Sequence, residues 1–376
     1  MNFSEVSLSK ATIQTDHLLK NIQAFKQLLN SDTNFMAVIK ANAYSHGATP
    51  LAKKMEENGA ANYFGVAQLS EALQLRAHDI TTPILVFNST HTKDIKQAIQ
   101  KEITLTVFSE DVATEVVQAA EQLEQTAKVH LKIDTGMARL GVTTFAEALK
   151  VYETLQSDFV AIEGIYTHFA DAYEQTTDSF THQQFNRYKE ILDQFEEKGL
   201  HFDLKHTCNT AATINFPEYH LDMVRVGVGL YGFDPTVSRE HKVNLTPLET
   251  VQTTVTHIKD FPAGESVGYN RTYYSKDNMK IATIAIGYAD GVAKSLSNKG
   301  FFTYKGHKMP ILGAVCMDQI MLDCSEVPNL DIGDEVTYFG EKTNGDLTVK
   351  EVADIVGESE YDLLCRIGNR VEKVYE

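Results

Sequence analysis

The sequence predicts an α/β protein of two domains. A (β/α)8 TIM barrel is expected over residues 11–236 and a mostly antiparallel β domain over 237–376, with an N-terminal strand in 1–10 packed on the second. Three observations carry this reading. Eight short β-rich runs alternate with helical patterns through the first two-thirds of the chain. No G-x-G-x-x-G follows the first of them, which argues against an open doubly wound sheet. After about Gly232 helical patterning stops, and short strand-like runs separated by Gly, Asn and Asp take over.

Residues 4–13 alternate as a strand, and 16–30 read as a leading helix. The eight barrel strands are expected at 35–41, 63–69, 83–88, 104–109, 128–134, 161–169, 202–209 and 223–232. Between them, helices are expected at 70–79, 109–125 (Ser109 as N-cap), 144–156 and 181–199. Gly227-Val228-Gly229 falls inside the last strand pattern and is no nucleotide fingerprint. The domain boundary is expected within 233–244. Beyond it, strands are expected at 248–258, 279–286, 301–304, 308–315, 319–323, 335–339 and 347–349, with helical patterning only at 350–356.

Composition narrows the function. The chain has 376 residues, enough for two domains and a large core, and a formal net charge of −17, which argues against a nucleic-acid partner. Residues 1–10 lack a basic stretch followed by an apolar one, and no apolar run reaches the length of a membrane span, so a cytoplasmic protein is expected. Cys208, Cys316, Cys324 and Cys365 form no C-x-x-C pair; free thiols in a reducing compartment, and no metal site, are expected.

In a β/α barrel the working residues sit where the strands end. Lys40 leaves an apolar strand as the chain turns into a loop. Desolvation there lowers an amine's pKa and makes it a nucleophile toward carbonyls. Lys132, Asp134 and Arg139 lie in and just after strand five, and His168 ends strand six. His206, Asn209 and Thr210 lie at the end of strand seven; Arg225 is in strand eight and Gly227 follows it. Taken singly, each is a residue any barrel carries: a solvated lysine, a satisfied histidine, an ordinary ion-pairing arginine, a packed Tyr44. Together, Lys40, Arg139, Arg225 and the two histidines would concentrate positive charge at one mouth of an acidic protein. That combination suggests an anionic ligand, a phosphate or carboxylate. Asn209-Thr210 and Gly227-Val228 offer a phosphate seat of backbone N–H groups and small side chains.

These residues also resemble a family. Met36-Ala37-Val38-Ile39-Lys40-Ala41-Asn42-Ala43-Tyr44 is similar to the pyridoxal-phosphate attachment signature of the alanine racemases, with Ser45 in place of the usual glycine. Similar stretches run along the chain at 130–141, 166–170, 224–227, 286–291 (Ile-Gly-Tyr-Ala-Asp-Gly) and 315–318 (Val-Cys-Met-Asp). The resemblance implies pyridoxal 5'-phosphate bound covalently to Lys40, in a head-to-tail homodimer with shared active sites and alanine as substrate. It implies that Tyr44, Asn209, Thr210, Gly227, Val228 and Tyr361 cradle the phosphate; Thr210 stands where a serine is usual and keeps the hydroxyl. It implies that Arg225 faces the pyridine nitrogen and that His168 lies beside the cofactor ring and partners the catalytic tyrosine. Arg139 would serve the cofactor hydroxyl and the substrate carboxylate, and Lys132 stands where many members carry a carbamylated lysine. The catalytic tyrosine would be Tyr269, with Gly268 and Asn270 where the family has serine and glycine, and Tyr273 as the rival. Met317 and Asp318 resemble residues that the partner subunit contributes near the substrate.

Racemisation needs an acid/base on each face of the α-carbon. Lys40 would serve one face and Tyr269 of the partner subunit the other, with positive charge from His168 and Arg225 easing ionisation of the phenol. Arg225 would not give up a proton to the pyridine nitrogen. A D-alanine supply for peptidoglycan is the implied role. The alternatives are a racemase for serine or another small amino acid, a barrel decarboxylase (which would favour a carboxylate at the pyridine nitrogen), and a non-enzymatic pyridoxal-phosphate carrier. The last would lack both the second domain and Tyr269.

Overall fold

Eight short parallel strands form the N-terminal sheet of the computed structural model, which describes residues 7–173, 179–236 and 243–376. They are β2 (Asn34–Val38), β3 (Tyr63–Val66), β4 (Ile84–Val86), β5 (Thr104–Val107), β6 (Ala127–Lys132), β7 (Val160–Tyr166), β8 (Leu204–His206) and β9 (Met223–Val226), and β1 (Ser9–Ile13) precedes them in the chain. Sequential strands pair from β2 to β8, and β9 returns to pair with β2. The remaining seam between β8 and β9 is bridged by Asp222 N–H to Lys205 C=O (3.0 Å) and Arg225 N–H to Cys208 C=O (2.9 Å), which closes the barrel. All eight expected strands are present, each shorter than its apolar run.

β3, β4, β5 and β9 are buried along their whole length, as strands covered on both faces must be. Met36, Tyr63, Leu85, Tyr166 and Met223 form one buried cluster. Two of the intervening helices start on side-chain caps: Ser109 Oγ accepts from Val112 N–H ahead of Glu110–Leu123, and Thr144 with Glu147 forms a capping box ahead of Phe145–Thr154.

The chain divides into two compact units. One comprises His17–Ala43 and Ala48–Thr246; the other takes the segment ending at Asp16, Pro247–Glu376 and, out of sequence, Tyr44–Gly47. The boundary expected at 236/237 lies against residues 237–242, outside the described residues, as do residues 1–6 of the expected N-terminal strand.

The second unit is built on β10 (Glu249–Phe261), whose alternating burial marks one face in and one out. With it come β11 (Ser266–Val267), β12 (Tyr273–Tyr274), β13 (Met279–Ile284), β14 (Phe301–Tyr304), β15 (His307–Pro310), β16 (Ile320–Asp323), β17 (Glu335–Phe339) and β18 (Glu372–Tyr375). The main sheet runs β15-β14-β17-β10-β1-β18, with β13 joining β10 to β16, and only the β1–β18 pairing is parallel among the described residues.

Three expectations need correction here. Residues 347–349 are no strand: Thr348 caps the helix Val349–Val356 in a box with Glu351, and that cap outweighs the β-branched run. The strand expected at 308–315 stops at Pro310, and Gly313 at φ +75° turns the chain away. The last barrel strand stops at Val226, and Val228–Tyr231 is a 3-10 turn. Among the described residues no helix is long and apolar enough to cross a membrane.

Candidate active site

Lys40 follows β2 by two residues, where the backbone changes hand. Ala41 (φ 52°), Asn42 (53°), Ala43 (55°), Tyr44 (51°) and Ser45 (71°) form a left-handed helical turn. Such a conformation costs a non-glycine residue roughly 1–2 kcal/mol, so it persists only where its surroundings impose it. On the barrel side, Ala41 N–H donates to Glu71 Oε1 (2.5 Å), and Glu71 Oε2 also accepts from Ala67 and Gln68 N–H. Asn42 Oδ1 accepts from Ala48 N–H (2.8 Å), at the start of the helix Ala48–Glu57.

Arg225 in β9 is the centre of a buried network. It donates through Nη2 to the carbonyls of Thr167 (2.8 Å) and Thr207 (2.9 Å). It also lies 3.2 Å from His168 Nδ1 and, through Nη1, 2.9 Å from His206 Nδ1. A guanidinium offers donors only, so both imidazole Nδ1 atoms accept. His206 therefore carries its proton on Nε2 and donates it to His130 Nδ1 at 2.9 Å. His130 keeps N–H at Nε2, a buried atom with no hydrogen-bond partner among the described residues. Tyr166 stacks on His206 at 4.6 Å and hydrogen-bonds Thr106 at 2.9 Å.

The chain of donors fixes the charges. Burial and then Arg225 push His206 well below the ordinary imidazole value, and the same two causes take His130 down to about 3. Burial followed by Arg225, Lys132, Arg139 and Lys40 pushes His168 well down too. The expectation that His168 contributes positive charge is thus corrected: both mouth histidines are neutral acceptors, and the permanent charge belongs to Arg225. Lys132, at the end of β6, is buried; burial, Arg225 and Arg139 drive its amine well below the usual lysine value, against the pull of Asp134. Its Nζ donates to Ile133 C=O (3.1 Å) and lies 4.8 Å from the Tyr166 ring centre. Asp134 shapes the next loop by accepting from the N–H groups of Gly136, Ala138 and Arg139 (2.8–3.0 Å). These bonds hold its carboxyl below the usual range despite burial. Arg139 itself is exposed.

At the end of β8, Asn209 Oδ1 accepts from Ala212 N–H and caps the short helix Thr210–Asn215. Thr210 Oγ1 accepts from Gly227 N–H (2.9 Å), which leaves the hydroxyl proton for another acceptor. Val228 is buried in the turn that follows.

In the second unit, Tyr44 and Tyr361 meet edge to face, 6.5 Å between ring centres. Tyr269 is 71 % exposed, on a turn where Gly268 (φ 71°), Asn270 (58°) and Arg271 (51°) are left-handed. Asn tolerates that region well, so Asn270 can stand where a glycine is usual. Tyr273 instead is partly buried in β12 and packs on the Val267–Ile281–Leu312 cluster. Met317 (52 % exposed) and Asp318 lie on a second exposed turn. Gly287 seats this turn: a Cβ there would lie 2.2 Å from Met317 C=O. Arg370 bridges Asp318 (2.8 Å) and Asp290 (2.9 Å), and Asp290 accepts from Gly287 N–H. Glu71, His130, Asp290 and Arg370 were not visible as site residues in the sequence; only His130, on the inward face of an apolar strand, carried a usable signal.

A cofactor with an aldehyde, a ring nitrogen and a phosphate fits this donor set. Lys40 offers the amine and Thr210 a hydroxyl proton. The Nε–H of Arg225 meets no acceptor among the described residues.

Comparison with known proteins agrees. Residues 13–235 match the model of the alanine racemase N-terminal domain, and 248–375 that of the C-terminal domain. Alanine racemase 2 of Oceanobacillus iheyensis is 41 % identical over 363 residues, 96 % of this chain and 92 % of that protein. The alanine racemase structure of Clostridium difficile 630 superposes with a TM-score of 0.94 at 35 % identity, covering 99 % of this chain and 96 % of that one. That of Bartonella henselae, with covalently bound pyridoxal phosphate, gives 0.87 at 27 % identity, covering 98 % and 100 %. Matched in both domains, the chain belongs to the alanine racemase family and is an amino-acid racemase.

Proposed function

We propose that this chain interconverts L- and D-alanine with pyridoxal 5'-phosphate tethered to Lys40, working as a homodimer with shared active sites. The observation that carries the reading is Arg225, buried and held cationic by carbonyls and neutral histidines in the barrel that also bears Lys40. A barrel decarboxylase would favour a carboxylate at that position; a fixed cation suits proton removal and return with little further chemistry.

When bound, the cofactor spreads the negative charge that develops at the α-carbon. The residues do the rest. Arg225 would offer its Nε–H to the ring nitrogen and would donate without surrendering its proton. Asn209, Thr210, Gly227 and Val228, with Tyr44 and Tyr361, would hold the phosphate, and His168 would serve the ring. Arg139, on the loop shaped by Asp134, binds the substrate carboxylate. Burial lowers the pKa of the Lys132 amine, which favours the neutral form that adds carbon dioxide; the resulting carbamate, formed with loss of a proton, would orient Arg139. Lys40 Nζ moves a proton on one face. Tyr269 of the partner subunit moves one on the other, with Met317 and Asp318 of that subunit lining the substrate. The exposure of Tyr269 and the packing of Tyr273 both favour Tyr269 for this task. A cytoplasmic source of D-alanine for peptidoglycan is the corresponding role.

The test is Lys40→Ala against wild type. Borohydride reduction should fix a pyridoxyl group on the Lys40 peptide of the wild type alone, and only the wild type should invert alanine. Label on another lysine overturns the assignment. Faster inversion of serine in a panel of L-amino acids overturns the substrate.

A further inference from the structure

We propose that Tyr375, at the end of β18, is a positioning residue that locks the left-handed turn after Lys40 and so sets Tyr44. This rests on Tyr44 being a phosphate ligand, as read above. The turn's second half, Tyr44–Gly47, belongs to the β unit, and there the C-terminal segment grips it. Tyr375 Oη donates to His46 C=O (3.1 Å). Ser45, which stands where the family's glycine would relieve the backbone, donates through Oγ to Ile367 C=O (2.6 Å). Gly47, at φ +97°, lies so close beneath Tyr375 that a Cβ would sit 1.9 Å from the phenol oxygen.

The clamp is itself anchored. Residues two apart on a strand share a face, and Lys373 pairs with the buried Glu249 (2.8 Å), whose other oxygen lies 4.0 Å from His46 Nε2. His46 Nδ1 in turn bonds Tyr44 C=O (3.0 Å). β18 runs in register with β1, Ile13 opposite Tyr375, and Glu376 N–H continues the pairing to Ile13 C=O (3.0 Å). Burial and Glu249 raise the Tyr375 pKa, so the phenol keeps the proton it donates. The strand thus holds a strained turn through one phenol on one carbonyl, two residues from Tyr44.

The experiment is a double-mutant cycle read as the dissociation constant of pyridoxal phosphate from the full-length protein, with thermal unfolding alongside. Tyr375→Phe should weaken binding on the order of fivefold, the weight of one lost hydrogen bond. Ser45→Ala should act in the same direction. Combined with Tyr44→Phe, Tyr375→Phe should add almost nothing, because its effect passes through Tyr44. A purely structural phenol would lower the unfolding temperature but leave the constant within about twofold, or add in full to Tyr44→Phe; either result overturns the proposal. If Tyr44→Phe alone leaves binding unchanged, the reading of Tyr44 fails first and the proposal falls with it.

Discussion

The barrel interior and the exposed turns of the β unit solve opposite problems. Around Arg225, carbonyls and histidines take up the terminal Nη donors of the guanidinium, and the protonation state of each imidazole follows from an arginine having no acceptor. Around Tyr269, Met317 and Asp318, large side chains stand in solvent on turns shaped by left-handed or glycine-only backbone. The first region is complete within one chain. The second stands in solvent, where the proposed function would have a partner subunit meet it. The contrast teaches that the barrel fixes charge while the β unit fixes reach, so damage to each should look different.

The largest separation should come from Gly287→Ala. A methyl 2.2 Å from Met317 C=O and 2.4 Å from Cys316 C=O must push the Met317–Asp318 turn aside. A displacement of about 1 Å is enough to lower turnover roughly a hundredfold. Cofactor attachment at Lys40 should survive; if attachment is lost in parallel, the two regions are not separable in this way.

His206→Leu strikes the barrel instead. It leaves an Arg225 donor and His130 Nδ1 without their partner in a dry interior, a loss of about 1–3 kcal/mol in unfolding free energy. Cofactor binding should weaken with it. Denaturant melts that match wild type would mean the network is not held as described.

A smaller effect follows from pH. His130 and His206 are neutral when folded, with pKa values pushed down, and titrate near 6.5 when unfolded. Below that value the unfolded chain binds more protons than the folded one. Stability should therefore fall as pH drops below about 6.5, by about 1.4 kcal/mol per pH unit for each histidine that stays neutral in the fold, a loss that continues to about pH 3 for His130. Unfolding free energies that stay flat between about pH 6.5 and 5 would contradict the neutral pair.

The sequence revealed the barrel more readily than the devices that serve it. Its eight strands were legible because each is an apolar run that a doubly covered strand requires. Lys40, Arg139 and Arg225 were legible as strand-end cations. The left-handed turn was not: only Asn42 among its five residues favours that region, and the forces that impose it come from Glu71, Ile367 and Tyr375, far away in the chain. The helix Glu360–Arg366 and strand β18 are too short to carry a clear periodicity, although Ser359 before two acidic residues is a cap signal. The charge of His168 is not legible in the sequence, because a histidine's state depends on which group donates to it, and here that donor, Arg225, lies 57 residues away in the chain.

Mixing Lys40→Ala with Tyr269→Phe protomers tests most directly whether the exposed turn completes another subunit's barrel. Each variant alone should be inactive. After subunit exchange, half the dimers would be mixed and each would hold one intact site, so about a quarter of wild-type activity should return. Verified mixed dimers that stay inactive would contradict the account.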